Sequence, residues 1–441
     1  MLALLRSLFS FLILAGYSAI FKLLQPLARI LGRLSPKLRA QLDQRCDVAR
    51  LSPSLALERA RYRHCAVFFC SSAGEFEQAR PLISRLQALK TIYIQVIFFS
   101  KSGLDYAKAR GETVPCCLSP LSDSVWTWGW LYSALLPDLT CVVRHELWPG
   151  FLTTARRFGK LYLLDASRSL AEKSSPLRQL VRSFLLHRFD QIYAVSAEDE
   201  EYFRVKYRIS RPHLMVTSDT KYDRVIERAK SRPDEIERLK AIFNQLAPTP
   251  NTPRMVVGSA YEHEVSLLVQ AYKQRATTEP KWQIIIAPHI VTDDHVSRIC
   301  SIIEHAGLKA LRFSRLKTHE TARSASMIVV DSIGILAEIY GTAQAAFVGG
   351  ALHHQVHNVL EPASHGLALG YGPFYKNSQE AIHLVQSGLA VVIKDPSQFV
   401  TWWRQLDHDA AALRQRMLAA TAELTGASDR IFATWRPLLE I

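Results

Sequence analysis

Two glutamates sit where short loops leave apolar, strand-like runs, the places at which open α/β sheets carry their chemistry, and a lysine lies near the expected domain boundary and hence near the expected cleft. Ser71-Ser72-Ala73-Gly74-Glu75 follows the apolar run 66–70. A glutamate at such a strand-to-helix turn can take a proton from an attacking hydroxyl. It can equally be an acid that complements a helix N-terminus, and the pattern leaves both roles open. Arg144-His145-Glu146-Leu147-Trp148-Pro149 follows the run 139–143 and brings Glu146 to the same predicted sheet edge, with Pro149 suited to a helix start. A helix-start acid is again the rival role. Lys221, in Ser218-Asp219-Thr220-Lys221-Tyr222-Asp223, can offset developing negative charge or stand as an ordinary solvated lysine.

A second set lies between Asp331 and Asn377. The helix-period residues Ile335, Leu336, Ile339 and Tyr340 lead into a short apolar run, 345–348, that ends in Gly349-Gly350. A further helix is expected to open around Asn358 and to carry Val359, Leu360 and Glu361. Glycines let backbone approach a phosphate, a helix N-terminus offers free N–H groups, and a nearby carboxylate can grip ribose hydroxyls. Ser259, Pro288 and His289 follow two more predicted strands and can hydrogen-bond a phosphate or a base. The turn Ser332 to Ile335 opens a helix, so the N–H groups of Gly334 and Ile335, with Ile333 beside them, can meet a phosphate. No GxGxxG or GxxxxGK[ST] occurs, so neither a dinucleotide fold nor a P-loop is indicated, and a nucleotide-sugar site is the better reading.

The elements that must position these residues alternate β and α throughout, which predicts parallel, doubly wound sheets. At 441 residues two domains are expected. We place a Rossmann-like acceptor domain at 65–225, an interdomain segment at 226–253, and a Rossmann-like nucleotide-sugar domain with C-terminal helices at 254–441. The expected fold is α/β with the two domains facing a cleft. Ahead of them, the apolar stretch from Leu8 to Ala28 and the basic run after it predict an N-terminal membrane-anchoring helix (1–30) and a basic membrane-proximal segment (31–64). The net charge of +14 is densest there, pointing to an anionic membrane surface, with the body on the cytoplasmic face of the inner membrane. The basic residues are not interleaved with aromatics, which argues against nucleic acid as partner. Seven cysteines without a CxxC pair read as reduced structural thiols. His353, His354 and His357 lack partner ligands at metal spacing, so no metal and no cofactor is expected.

Taken together, SSAGE, ELWP, TSDTKYD, GSAYEHE, APH, DSIG, FVGG and HNVLEP, in that order, resemble the 3-deoxy-D-manno-octulosonic acid (Kdo) transferases. These are membrane-anchored GT-B glycosyltransferases of lipopolysaccharide synthesis, and the likeness covers nearly the whole chain. The resemblance implies inverting, metal-independent transfer of Kdo from CMP-Kdo to the lipid A precursor (lipid IVA). It implies Glu75 as general base, Glu146 and Lys221 as groups that support the transition state, and a CMP site of Ser259, Pro288, His289, Ile333, Gly334, Ile335, Asn358, Val359, Leu360 and Glu361. The chain departs from the pattern at Pro288-His289, where an arginine between the two is usual. It departs also at Ala260 and Tyr261, usually Thr and His, and at His145 and Gly150, usually Thr and Asn. The alternative is another membrane-associated GT-B transferase using a different nucleotide sugar on a lipid acceptor.

Overall fold

The computed structural model describes residues 16, 17, 19, 48–144, 146–168, 176–275, 279–316 and 326–440. They divide into two compact units, one running to Arg224 and resuming at Thr425, the other Val225–Leu424.

The first unit is built on a parallel sheet of seven strands in the order β3-β2-β1-β4-β5-β6-β7. These are β1 His64–Cys70, β2 Ile92–Phe98, β3 Cys116–Leu118, β4 Leu139–Val143, β5 Lys160–Ala166, β6 Gln191–Ala194 and β7 Leu214–Val216. Every residue of β1 and β2 is buried, as expected of strands covered by helices on both faces. The two-residue period sends Cys65, Val67 and Phe69 into one core and Ala66, Phe68 and Cys70 into the other. The direction of winding reverses between β1 and β4, and a ligand crevice forms at such a reversal, beyond the carboxyl ends of the strands. Glu75 follows β1, and Glu146 follows β4.

The second unit repeats the plan in the order β10-β11-β9-β8-β12-β13-β14. Its strands are β8 Arg254–Ala260, β9 Gln283–Pro288, β10 Ala310–Arg312, β11 Met327–Val329, β12 Ala345–Val348, β13 Ala368–Tyr371 and β14 Ala390–Val392. Here the reversal falls between β8 and β12, so Ser259 and Gly349-Gly350 flank it.

The expected domain boundary at residue 441 needs correction. A helix at Pro396–Leu424 belongs to the second unit, but Gly426 then turns the chain with φ of 82° and the final helix, Ala427–Leu439, joins the first. Its buried residues Ile431, Trp435 and Leu439 recur every fourth position and enter the core of Ala66 and Phe68. Trp435 stacks on Tyr162 at 5.7 Å, and its Nε1 donates to the Tyr193 hydroxyl at 3.1 Å. Asp223 caps this helix, accepting from Gly426 N and Ser428 N at 2.6 Å each.

Among the described residues no helix is long and apolar enough to cross a membrane. The anchor expected at 1–30 lies outside the described residues except for 16, 17 and 19, as does the basic segment before residue 48.

Candidate active site

At the first reversal, Ser72 caps the helix Ala73–Ala88, its hydroxyl accepting from Glu75 N at 3.4 Å. The Glu75 carboxylate turns back and accepts from Ser71 N. Burial raises its pKa above the ordinary glutamate value; the Ser71 bond opposes that, the Glu146 charge adds to it, and Arg144 lowers it. The two glutamates are therefore near enough to feel each other. Glu75 acts as a helix-start acid by position, yet its proton affinity is shifted toward what a base working near neutrality needs.

Glu146 is fixed by Trp148, whose Nε1 donates to Oε2 at 2.6 Å. The loop carrying it is held from behind by Asp123, which accepts from Gly150 N at 2.9 Å and Phe151 N at 2.8 Å at the start of the helix Pro149–Phe158. Gly150 has no room for a side chain, because a Cβ there would lie 2.0 Å from Asp123 O. The departure from the usual Asn thus follows from packing. Lys221 Nζ stands 3.5 Å from Asp219 Oδ2 and 5.4 Å from the Tyr222 ring centre.

At the second reversal, β8 bulges at Ser259, which takes φ of 52°, between the pairs made by Gly258 and Ala260. The Gly349-Gly350 turn differs from its expected role. A Cβ on Gly349 would lie 2.2 Å from Ser259 O, and one on Gly350 would lie 2.3 Å from Gln355 O. The space these glycines free is filled by the chain's own backbone. Gly334 is the open one, with φ of 90° and nothing within 4 Å of a Cβ position, and Ile333 beside it is 82% exposed.

The helices expected to open near Ile335 and Asn358 are short, Leu336–Tyr340 and Leu360–Ser364. Just ahead of the latter, Asn358 Oδ1 accepts from Leu360 N at 3.0 Å. Val359 is a buried core residue, and Pro288 is buried at the end of β9. Glu361 pairs with Arg228 across 3.4 Å. Burial raises its pKa, Arg228 opposes that, and Glu338 reinforces it.

His289 lies in a ring cluster. It stacks on His357 at 4.2 Å and on Tyr261 at 4.9 Å, while His353 meets Tyr261 edge-on at 4.7 Å. Burial and a neighbouring histidine lower its pKa, and burial together with three histidines lowers that of His357. The pair is neutral at neutral pH, so His289 supplies no standing positive charge where the arginine is missing. Among the described residues no group of three or more His, Cys, Asp or Glu is arranged to hold a metal ion.

Residues 41–224 match the family model of 3-deoxy-D-manno-octulosonic-acid transferase (kdotransferase). Over that stretch the chain is similar to the Kdo transferases. A Kdo transferase of Aquifex aeolicus is 25% identical over 75% of this chain and 82% of its own length. One of Haemophilus influenzae is 24% identical over 84% of each chain. In fold, the chain matches a UDP-GlcNAc 2-epimerase of Neisseria meningitidis with a TM-score of 0.57 at 13% identity, covering 86% of this chain and all of that one.

Three residues that brace these loops, two in the first unit and one in the second, escape a motif reading. Asp219, 4% exposed, accepts from Gln78 Nε2 and Lys221 N at 2.9 Å each and from Arg144 Nη2 at 3.2 Å. Asp165 accepts from Thr220 N at 2.9 Å. Burial first, and then the Asp219 charge, raise its pKa far above the carboxylate range. Glu264, wholly buried, accepts from Tyr261 N at 3.0 Å and Gly350 N at 3.1 Å. The signals were present as an acid three residues past Tyr261 and an acid beside Lys221, but their partners come from other strands.

Proposed function

We propose that the protein transfers Kdo from CMP-Kdo to a lipid A precursor, lipid IVA, with inversion, and that Glu75 is the general base. The observation that carries this is the placement of Glu75 at the β1–β4 reversal, half-buried, with a raised proton affinity and a second carboxylate beside it. In the step envisaged, Glu75 takes the proton of the acceptor hydroxyl and that oxygen bonds to the anomeric carbon of Kdo. The bond from that carbon to the phosphate oxygen breaks, and CMP departs with the electron pair. CMP is a competent leaving group, so the protein's task is positioning and charge stabilisation, with Glu146 and Lys221 supporting the transition state.

The second unit is proposed to hold CMP. The open Gly334 turn with Ile333 and Ile335 would face phosphate, and Asn358 to Glu361 the ribose, with Ser259, Pro288 and His289 alongside. No metal is required in this scheme. The apolar and basic N-terminal stretch is proposed to keep the protein on the anionic cytoplasmic face of the inner membrane, where the acceptor lies.

One observation favours a second reading. The neutral His289–His357 stack replaces a cation, so the grip on the donor phosphate differs from the family pattern and another nucleotide sugar is the alternative. Donor choice tests the two. Turnover inhibited by CMP and indifferent to UDP supports CMP-Kdo, whereas inhibition by UDP alone supports the second reading.

A further inference from the structure

Arg144 lies close enough to Glu75 for its charge to favour the ionised carboxylate. It is the first residue past β4, two positions beyond the Phe69–Val142 pair, which sets it beside Ser71 at the reversal. Its backbone takes φ of 65°, a conformation a non-glycine residue adopts only when the surroundings impose it. The strand end is locked there by the bond from Arg144 N to Leu164 O at 2.9 Å. The guanidinium is anchored at one corner, Nη2 on Asp219, and its Nε is buried with no hydrogen-bond partner among the described residues. Its side chain remains one-third exposed, at 33%. Asp219 serves two cations, since Lys221 Nζ shares its Oδ2, and is itself immobilised by Gln78. A planar fork held by one corner presents its remaining donors in a fixed direction, the geometry that suits an oxyanion.

We propose that Arg144 is an anion-binding group of the first unit, positioned by Asp219 so that it meets a carboxylate or phosphate oxygen of a substrate beside Glu75. This rests on the Kdo-transfer reading, in which the sugar carries a carboxylate and the lipid carries phosphates. Asp219 and Gln78 are then positioning residues, acting through Arg144.

The charges around this group also fix a pH signature. Glu75 faces Arg144 and Glu146 from the end of β4 and Cys70 from its own strand, while Arg144 faces Asp219 and Asp165. Arg144 favours the ionised form of Glu75, so its removal requires a higher pH to ionise the base.

The test is calorimetric titration of the full chain with free Kdo and, separately, with inorganic phosphate, comparing wild type with Arg144→Gln, Arg144→Lys and Asp219→Asn. Arg144→Gln is expected to weaken one probe roughly tenfold or more, with Arg144→Lys and Asp219→Asn between it and wild type. A response to Kdo assigns a carboxylate as the group bound; a response to phosphate assigns a phosphate oxygen. Thermal melts establish that each variant is folded, and if the Gln variant is not, Arg144→Lys carries the comparison. In the transfer assay, the acid limb of kcat/KM moves to higher pH in Arg144→Gln and stays in place in Arg144→Lys. Equal affinities for both probes in wild type and variant, or no binding of either probe by wild type, overturn the proposal. A wild type that binds a probe but transfers no Kdo removes the Kdo-transfer reading while the titration still decides Arg144.

Discussion

Glu264 accepts a hydrogen bond from Gly350 N across 3.1 Å, although the two lie 86 residues apart in the chain. Its other oxygen accepts from Tyr261 N at 3.0 Å. One buried carboxylate thus ties the loop after β8 to the loop after β12, at the reversal where the second unit is proposed to hold a nucleotide. Both loops bear backbone N–H groups that would otherwise be buried without partners.

Removing that tie has a definite cost. Glu264→Ala leaves two buried donors unpaired, and each is worth about 1 to 3 kcal/mol. We expect urea unfolding to show a loss of about 2 to 6 kcal/mol. Glu264→Gln, which keeps one acceptor oxygen, should lose less than the alanine variant.

Gly150→Ala is predicted to be disruptive for a steric reason. The added methyl would lie 2.0 Å from the Asp123 carbonyl oxygen, which is backbone and cannot swing aside. A destabilisation of about 1 to 3 kcal/mol is expected in a thermal melt. The Glu146 loop ends at this contact, so transfer activity should fall beyond what the lost stability explains.

Asp165 gives the stability a pH dependence of known sign. Its folded pKa is raised above the unfolded value near 3.8, so the folded state holds its proton after the unfolded chain has released it. Stability therefore declines as pH rises from about 4 toward the raised value, and is flat in this respect below that window. Asp165→Asn keeps an acceptor for Thr220 N and removes the titration. Denaturation at pH 5 and pH 8 should show a smaller loss between the two values in the variant than in wild type.

The final helix is predicted to stabilise the first unit rather than the one that precedes it in sequence. Trp435→Ala removes a fully buried ring stacked on Tyr162 and should cost about 3 to 5 kcal/mol. Calorimetry should show the first unit's transition lowered and that of Val225–Leu424 unmoved.

Much of this architecture was legible in the residues. The run HCAVFFC in β1 is apolar at every position but one and is buried on both faces, so its strand character survives without context. The same holds for Ala345–Val348, which matches β12 at both ends. Glu75 was visible as a lone acid directly after such a run. The three-residue strands Cys116–Leu118, Leu214–Val216 and Ala310–Arg312 were not, because three residues show no period and they gain their hydrogen bonds only from longer neighbours. The return of Ala427–Leu439 to the first sheet is a long-range packing choice, since an apolar residue at every fourth position says that a helix has a buried face but not which core receives it. Asp219 and Glu264 resisted for a related reason. A carboxylate's function is set by its donors, and those of Asp219 come from residues 78, 144 and 221. Gly349-Gly350 misled because close backbone approach and ligand approach demand the same residue.

The role of Glu75 in Kdo transfer is decided by the mass of the lipid after incubation of detergent-solubilised protein with CMP-Kdo and lipid IVA, beside a Glu75→Gln variant shown to be folded. Wild type is expected to add the mass of at least one Kdo residue, and the variant's rate to fall at least a hundredfold, on the order expected for loss of a general base. Transfer by Glu75→Gln at the wild-type rate, or no Kdo added by folded wild-type protein, would contradict that role.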